Sequence, residues 1–565
     1  MDAHQNYYEL SGQQTNLYKC FIPKAFYLSN KNGVNGLLHP DSVFDDPKGD
    51  FLRKEIYKRL RKHFQFMNML KLFPDVHSNV VYSINIYSND FTENFEMICN
   101  LYWPSAIDES YDVSLEMPLE GLRDFNDNWS RHGNSERILH IGESELKMFM
   151  KLFGGSTYSS AKISPIHTNN FLEILSKISN VEKRLSDLEK LFYATELWHE
   201  TNDVKKGIIS LREHFPDNMD VCIYSSPHIS NGNPIYKTTR SKYTSNSSYD
   251  NIDLMCIEPD YIQRCLFEPT DFEAYNKAIP ICPWGEKYNN AYKLVIRKML
   301  NLTQERTMMA TIIPQEATHT FGLFGVAFED IKQLSLFSGV CMSLVGDFLI
   351  KIMGKSNTTM DNIGKLPILD SGNILSSLII HRVMLLNCIT QYFSDIWECC
   401  YDDIFVKDSF AKEDLRLNVN LFKTASKTWT PTSFARDDFE RRQLLVEIDV
   451  LVAMSIGITL KELIEIYDIQ FPVVKKYESE TWFDKNGRII FSSKAMGNLT
   501  IDRKQFEEVM DLQEGEVKKV IDDDTTCKGT LKREIIYDAP FDRCNREEDY
   551  ETAWKFFEEK YGKVN

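Results

Sequence analysis

The sequence of 565 residues lacks the signatures of the best-known catalytic sites. It has no GxxxxGK(S/T) phosphate-binding loop and no GxGxxG segment after a strand pattern. It also has no GxSxG nucleophile elbow and no HExxH zinc motif. The sequence therefore predicts no catalytic residue and no metal ligand of its own.

Cysteine spacing and net charge argue against further kinds of site and further classes of protein. The twelve cysteines include no CxxC pair and no Cys/His ligand spacing, so neither a zinc site nor a disulfide framework is indicated. We expect reduced, mostly buried thiols in a cytoplasmic protein. The formal net charge of −17 argues against a protein that simply coats nucleic acid, but it does not exclude a local DNA-binding surface.

Long uninterrupted apolar runs are also missing. The most apolar window, SLFSGVCMSLVGDFLIKIMG, contains Asp347 and Lys351. It predicts a buried core helix rather than a membrane span. No signal peptide is recognisable, so we expect a cytoplasmic chain without a membrane partner.

The pattern over residues 1–90 predicts half of an α/β sheet. Helical spacing of Leu17, Phe21, Ala25 and Leu28 is followed by the strand pattern GVNGLLHP. A second helix is predicted over DDPKGDFLRKEIYKRLRKHF, then strands over FQFMNMLKLF and VVYSINIYS. Helices alternating with strands are typical of a doubly wound sheet. Half of such a sheet has an unpaired edge and an uncovered apolar face, which predicts a partner chain.

The remaining sequence divides into three predicted regions. Residues 91–214 read as a mixed insertion with one long helix over FLEILSKISNVEKRLSDLEKLFYATELWHE. Residues 215–370 are rich in turn signals and predict an α+β region. Residues 371–565 predict a mainly helical support region, in which the acidic stretch Asp511 to Asp524 is interpreted as a solvated loop.

Two polar clusters are candidates for DNA contact. Eight Lys/Arg and two acids fall between Lys48 and Lys71, and Lys58 and Arg59 among them could follow a phosphate backbone. The alternative is a solvated helix face. The segment from 292 to 324 carries side chains suited to base edges, which a polar strand edge would also supply. These second candidates are Arg297, Asn301, Arg306, Thr307 and His319.

The segment GNPIY, Gly232 to Tyr236, partly matches the (D/N/S)PP(Y/F/W) motif of amino-methyltransferases. The second proline is absent, and the flanking sequence has turn signals on both sides. We therefore interpret it as an Asn-Pro turn.

Long segments resemble the C-terminal part of the large bacterial N6-adenine DNA methyltransferases of restriction-modification and phage-defence systems, including DISARM-type methylases. The resemblance covers nearly the whole chain. It rests on QNYYELSGQQTNLYKCFIPKAF, LHPDSVFDDPKGDFLRKEIYKRLRKHFQF, NLTQERTMMATIIP, WFDKNGRIIFSSKAM and YDAPFDRCNREEDYETAWKFFEEKYG.

This resemblance implies the second half of a methyltransferase sheet, over residues 1–90, followed by a DNA target-recognition region, over residues 215–370. It also implies that Arg306 and its neighbours contact double-stranded DNA. In such enzymes the S-adenosylmethionine loop and the catalytic Asn-Pro-Pro-aromatic motif come earlier in the chain. A partner chain is therefore expected to carry them and to bind most of the cofactor.

Three interpretations remain open from the sequence. The chain is a fragment or subunit of an adenine-specific methyltransferase, inactive alone. Alternatively, it is a non-enzymatic DNA-binding specificity protein whose partner is a helicase or nuclease. A remnant of an interrupted gene is the third.

Overall fold

The computed structural model describes residues 6–14, 16–115, 117–124, 126–494 and 497–562. Four residues of segments quoted above lie outside the described residues: Gln5, Thr15, Ala495 and Met496. The chain forms two compact units. The first comprises Met1–Glu182, Ile352–Gly354 and Glu465–Pro472, and the second comprises Lys183–Lys351, Lys355–Ile464 and Val473–Asn565.

The first unit is built around one five-stranded sheet. Its helices are α1 Leu17–Leu28, α2 Asp50–Tyr57, α3 Ser105–Tyr111, α4 Glu143–Phe153 and α5 Asn169–Asn180. Its strands are β1 Val34–Pro40, β2 Leu60–Met67, β3 Val81–Ser88, β4 Phe95–Leu101 and β5 Leu139–Ile141. The strand order is β1-β3-β2-β4-β5, so β1 and β5 are the edge strands.

This sheet differs from the predicted doubly wound half-sheet. Only the pair β2–β4 is parallel, and the other three neighbouring pairs are antiparallel. A doubly wound sheet is mostly parallel because each strand returns through a helical crossover. Here β2 reaches β3 without a helix of the α type. The sheet also continues past residue 90 to Ile141, so the first two regions of the sequence share it.

The second helix predicted from the sequence is shorter than expected. It ends at Tyr57, and the basic segment that follows enters strand β2 at Leu60. In β2, residues His63 to Phe66 are buried between β3 and β4, and this central position in the sheet outweighs the local helical pattern. The prediction of one long basic helix is therefore wrong.

The second unit contains the remaining helices. They are α6 Asn202–Lys205, α7 Phe272–Ala278, α8 Ile331–Met342, α9 Leu344–Ile352, α10 Met360–Ile363, α11 Ile374–Asn387 and α12 Ser394–Cys400. Further along follow α13 Asn420–Lys423, α14 Asp438–Ile456, α15 Leu460–Glu465, α16 Pro472–Ser479, α17 Arg503–Val509 and α18 Arg546–Tyr561. Helices dominate residues 331–479, as the apolar runs there predict.

In the described part of this unit there are also sixteen strands. The first eight are β6 Lys183–Arg184, β7 Phe192–Thr195, β8 Ile209–His214, β9 Ile223–Tyr224, β10 Lys237–Thr239, β11 Tyr249–Asn251, β12 Cys265–Pro269 and β13 Lys293–Arg297. The others are β14 Ala310–Ile313, β15 Thr318–His319, β16 Leu323–Phe328, β17 Pro367–Ile368, β18 Thr481–Phe483, β19 Ile489–Ser492, β20 Glu516–Asp523 and β21 Leu531–Asp538.

Two further expectations are corrected in the second unit and at its border. The long helix predicted from Phe171 ends at Asn180, and the following residues form β6, a 3-10 segment and β7. The acidic stretch interpreted as a solvated loop contributes β20, which pairs with β21 over its whole length. Ile521, Ile535 and Tyr537 on this hairpin are buried, so burial of one face decides its structure.

A four-stranded antiparallel sheet of order β14-β13-β16-β7 supports the candidate site. All of β16 and nearly all of β13 are buried, and helix α8 packs against these strands. The most apolar window forms α8 and α9, which are separated by a bend of 66°. No single helix among the described residues is long and apolar enough to cross a bilayer, although this bent pair passes the test of length and composition.

Candidate nucleic-acid interface

The loop between the central strand β13 and the edge strand β14 carries most of the predicted base-reading residues. Strands β13 and β14 pair from Lys293↔Ile313 to Ile296↔Ala310, and residues 298–309 connect them. The outer part of this loop is in solvent: Met299 is 80% exposed, and Asn301, Thr303 and Gln304 are exposed as well. The sheet therefore presents a polar loop on a rigid base.

Asp347 anchors the returning arm of the loop. Its carboxylate, in the first turn of α9, is completely buried. It accepts hydrogen bonds from the backbone N–H of Met308 at 2.8 Å and of Thr307 at 3.2 Å. The guanidinium Nε of Arg306 lies 3.0 Å from Asp347 Oδ2. Burial raises the pKa of Asp347, while the nearby Arg306 favours its charged form.

A second loop lies beside the first. The backbone N–H of Leu300 donates to Ser356 O at 3.0 Å, and that of Thr358 donates to Lys298 O at 2.8 Å. Met299 and Asn357 form an isolated β-bridge. We call residues 298–305 and 355–359 the paired loops. They expose amides, hydroxyls and one thioether side by side.

The other predicted residues of this cluster are mostly inside the fold. Arg297 donates from Nη2 to Ile229 O, and burial lowers its pKa. Thr307 is only 3% exposed. Arg306 also donates to the backbone oxygen of Met342. These three side chains support the loop from below, and only Asn301 among the predicted residues lies on its exposed part.

His319 is the most deeply buried of the predicted residues. Its side chain has no exposed surface, its Nε2 lies 2.8 Å from the hydroxyl of Tyr288, and its Nδ1 lies 3.1 Å from Thr320 O. Burial lowers its pKa to about 4, so the imidazole is neutral at pH 7. In this geometry His319 packs in the core of the sheet rather than facing solvent.

Lys58 and Arg59 belong to the first unit, at the end of α2. Lys58 Nζ and Arg59 Nη1 each lie 2.8 Å from a carboxylate oxygen of Glu55. The Arg59 guanidinium also lies 4.8 Å from the ring centre of Phe26 and 4.6 Å from that of Phe91. Glu55 offsets part of their positive charge, so their contact with DNA phosphate stays a prediction.

Sequence reasoning missed two parts of this surface. The sequence shows Asp347 only as a charged residue within an apolar window. No pattern in the sequence indicates that Ser356 and Asn357 lie beside the loop at residues 298–305. A buried acid in an apolar helix needs a partner, which was the clue to an anchor. The partner, Arg306, lies 41 positions earlier in the chain.

The Asn-Pro segment forms a turn, as interpreted from the sequence. The backbone N–H of Gly232 donates to Ala310 O at 2.9 Å, and Asn233 Oδ1 accepts from the N–H of Ile235 at 3.0 Å. Arg441 Nη2 donates to Gly232 O at 2.7 Å. Within the part of the chain that the structure describes, no group of three or more His, Cys, Asp or Glu side chains is placed to hold a metal ion.

Comparisons with known proteins do not identify a family for this chain. No protein-family model matches the chain, and no curated protein matches it. Among solved structures, the type IIG restriction endonuclease BpuSI aligns over 82% of this chain and 50% of its own, at 10% identity and a TM-score of 0.26. The type IIL restriction-modification enzyme MmeI, in complex with DNA, aligns over 82% and 53%, at 8% identity and a TM-score of 0.38.

The chain thus spans about half the length of each of these two enzymes. At TM-scores this low, neither similarity establishes a shared fold.

Proposed function

We propose that this chain is the DNA-recognition part, as a fragment or subunit, of a site-specific adenine-N6 DNA methyltransferase in restriction-modification or phage defence. A separate chain supplies the catalytic motif and most of the S-adenosylmethionine site. The assembled enzyme flips an adenine out of the duplex and transfers a methyl group to its exocyclic nitrogen.

The observation that carries DNA recognition is the anchored, exposed geometry of the paired loops. Amide side chains such as those of Asn301 and Gln304 can pair with both the N6 amino group and N7 of adenine in the major groove. Asp347 and the contacts to Ser356 hold the loops before DNA arrives. Such preorganisation lowers the entropy that ordering on binding would cost.

A partner chain is supported by the surface of α1 and β1. Leu17, Phe21 and Leu28 lie on one stripe of α1 and are 72%, 60% and 76% exposed. On the neighbouring edge strand, Val34 and Leu38 are 68% and 55% exposed. We call these five residues the N-terminal apolar face. Contiguous exposed apolar surface beside an open strand edge is typical of a protein interface.

DNA recognition is tested by selecting duplexes from a randomised pool with the purified chain. We expect enrichment of a motif that contains adenine. Asn301→Ala and Gln304→Ala should each relax the choice of one base by about 1–3 kcal/mol. The exposed Asn246→Ala and Gln513→Ala are matched controls that should leave the motif unchanged. Equal weakening on all sequences would instead indicate phosphate contacts.

The enzymatic part is tested by co-expression with a chain that carries a glycine-rich cofactor loop and an Asn-Pro-Pro-aromatic motif. We expect transfer of a labelled methyl group from S-adenosylmethionine to adenine N6 only when both chains are present. Methyl transfer by this chain alone would overturn the divided enzyme. Sequence-specific DNA binding without methylation, in the presence of a stable complex, would favour the non-enzymatic specificity protein.

A further inference from the structure

A cavity of about 250 Å³, lined by polar and apolar side chains, lies within the second unit, and Glu305 at the end of one of the paired loops is part of its wall. Its walls come from the turn at residues 230–236, the start of α14, helix α16 and the hairpin β18–β19. This volume is slightly below the range of about 300–1,000 Å³ that is typical of small-molecule sites. It suits a ligand of the size of one nucleotide rather than a dinucleotide.

Cationic side chains slightly outnumber acidic ones in the lining of the cavity, and Arg488, Lys494 and Arg546 form ion pairs with acids of the same lining. Among the described residues, the cationic side chains are Arg436, Arg441, Arg442, Arg488, Lys494 and Arg546. The acidic side chains are Asp253, Glu305, Asp437, Asp438 and Glu478. Burial, followed by the nearby Glu440, raises the pKa of Asp437 to about 9, so this carboxyl is protonated at pH 7. Burial also raises the pKa of Asp438.

Two of these arginines direct their hydrogen bonds to backbone carbonyls. Arg436 donates to Leu254 O at 3.2 Å and to Pro431 O at 2.9 Å. Arg441 donates to three carbonyl oxygens, and burial lowers its pKa to about 10. Carbonyl dipoles orient a guanidinium without neutralising it. The positive charge of Arg436 is therefore available to an anion. Asp437, Asp438 and Glu440 lie close enough to Arg441 to favour its charged form.

Arg442 contributes an unused donor. Its Nε lies 2.9 Å from Glu478 Oε1, and its Nη1 is bonded to Asp549. Its Nη2 is buried and has no hydrogen-bond partner among the described residues. A buried N–H without an acceptor is costly, and a phosphate oxygen is an acceptor that suits a guanidinium.

Aromatic rings form another part of the wall. Tyr236, Tyr477 and Phe483 line the cavity, and the two tyrosines are half-buried. Rings of this kind stack against planar ligands. The cavity thus offers two kinds of contact, one for an anion and one for a planar ring.

We infer that this cavity binds a nucleoside monophosphate, with the phosphate facing the arginines and the base packed beside the tyrosines. This inference goes beyond the proposed function and does not rest on it.

Calorimetric titration of the full chain tests the inference. The probes are the four ribonucleoside 5′-monophosphates, with inorganic phosphate and adenosine representing the two halves of the ligand. We expect at least one monophosphate to bind once per chain, about tenfold or more tightly than phosphate or adenosine alone. No binding by any of the four, or equal binding of phosphate alone, would overturn the inference.

Two variants locate the ligand. Arg436→Gln and Tyr236→Ala should each weaken monophosphate binding about tenfold or more. The exposed Arg240→Gln and Tyr27→Ala are matched controls that should stay within about twofold. Thermal unfolding verifies that each variant is folded, and if Arg436→Gln is not, Tyr236→Ala decides. Unchanged affinity in the folded cavity variants would place the ligand elsewhere and reject the site.

Discussion

Helix α1 in the first unit and helices α11 and α14 in the second place their side chains in opposite ways. On α1 an apolar stripe faces solvent, with Phe21 and Leu28 exposed. Between α11 and α14 a charged side chain faces the interior, because Arg382 is completely buried and bonded to Glu447 and Asp408, each at 2.7 Å. The helix α1 therefore presents an apolar surface to solvent, whereas the core between α11 and α14 contains charges that are paired with each other.

Each arrangement follows from what is available to the side chain. A buried guanidinium is tolerated when carboxylates and carbonyls satisfy its donors, as Asp408, Glu447 and Ser409 O do for Arg382. Although burial alone would lower it, these carboxylates keep the pKa of Arg382 above its ordinary value. The exposed apolar stripe of α1 has no such compensation from the described residues, and covering it would be favourable.

The largest effect is expected when the buried charge loses its partner. Arg382→Met should lower the free energy of unfolding by about 3–5 kcal/mol, because Asp408 and Glu447 remain buried without their counterion. Urea unfolding followed by circular dichroism measures this. Arg240→Met is the control, an exposed arginine paired with Asp250, and should cost less than about 1 kcal/mol. An equal loss of stability in the two variants would mean that the ion pairs of Arg382 with Asp408 and Glu447 do not stabilise the core.

A somewhat smaller effect is expected at the loop anchor. Asp347→Ala should cost about 2–3 kcal/mol, because it leaves the N–H of Met308 without its acceptor and the guanidinium of Arg306 without its counterion. It should also speed tryptic cleavage after Arg306, since the freed loop opens more often. The exposed Asp361→Ala is the control. Unchanged cleavage would show that other contacts hold the paired loops.

The buried histidines predict a loss of stability in mild acid. Burial lowers the pKa of His319 to about 4 and that of His228 to about 3, whereas unfolded histidine titrates near about 6.5. The unfolded chain therefore binds more protons in this window, and stability falls as the pH drops from about 6.5 towards 4. Each group contributes at most about 1.4 kcal/mol per pH unit.

Urea midpoints measured between pH 7.5 and 5 check this dependence. In His319→Gln the slope against pH should be smaller than in the unaltered chain. An identical slope would mean that His319 is accessible to protons in the folded state.

The smallest effect on stability is expected at the N-terminal apolar face. Phe21→Ser together with Leu28→Ser should change the free energy of unfolding by no more than about 0.5 kcal/mol, because both side chains are already in solvent. The buried Ile22→Ala on the opposite side of α1 should cost about 2–5 kcal/mol. The double variant should nevertheless lose the partner chain in a pull-down. Retained complex would place the interface elsewhere.

Local patterns predicted α1, the strand patterns of β1 and β3, and the long apolar helices around α11 and α14. They failed where tertiary context outweighed them. The basic segment after Tyr57 had a helical pattern but became a central strand, and Asp511 to Asp524 looked solvated but largely became a paired strand with Ile521 buried. Strand pairing depends on residues distant in sequence, which periodicity does not report.

For the candidate interface, the sequence indicated the segment that carries one of the paired loops, but not which of its side chains are exposed. Asn301 is exposed, whereas Arg306, Thr307 and His319 turned inward. The side-chain types that can hydrogen-bond to base edges can also form hydrogen bonds inside the protein. Only their burial in the structure distinguishes the two roles.

By itself, therefore, the sequence determined the periodic pattern of helices such as α1 and the absence of the common catalytic and metal motifs. The tertiary structure alone decided which side of each element is covered. The stripe Leu17, Phe21, Leu28 is periodic in the sequence, yet it is Ile22 and Phe26 on the other side that are buried. Periodicity gives the relative direction of side chains along a helix, but burial is set by the elements that pack against it.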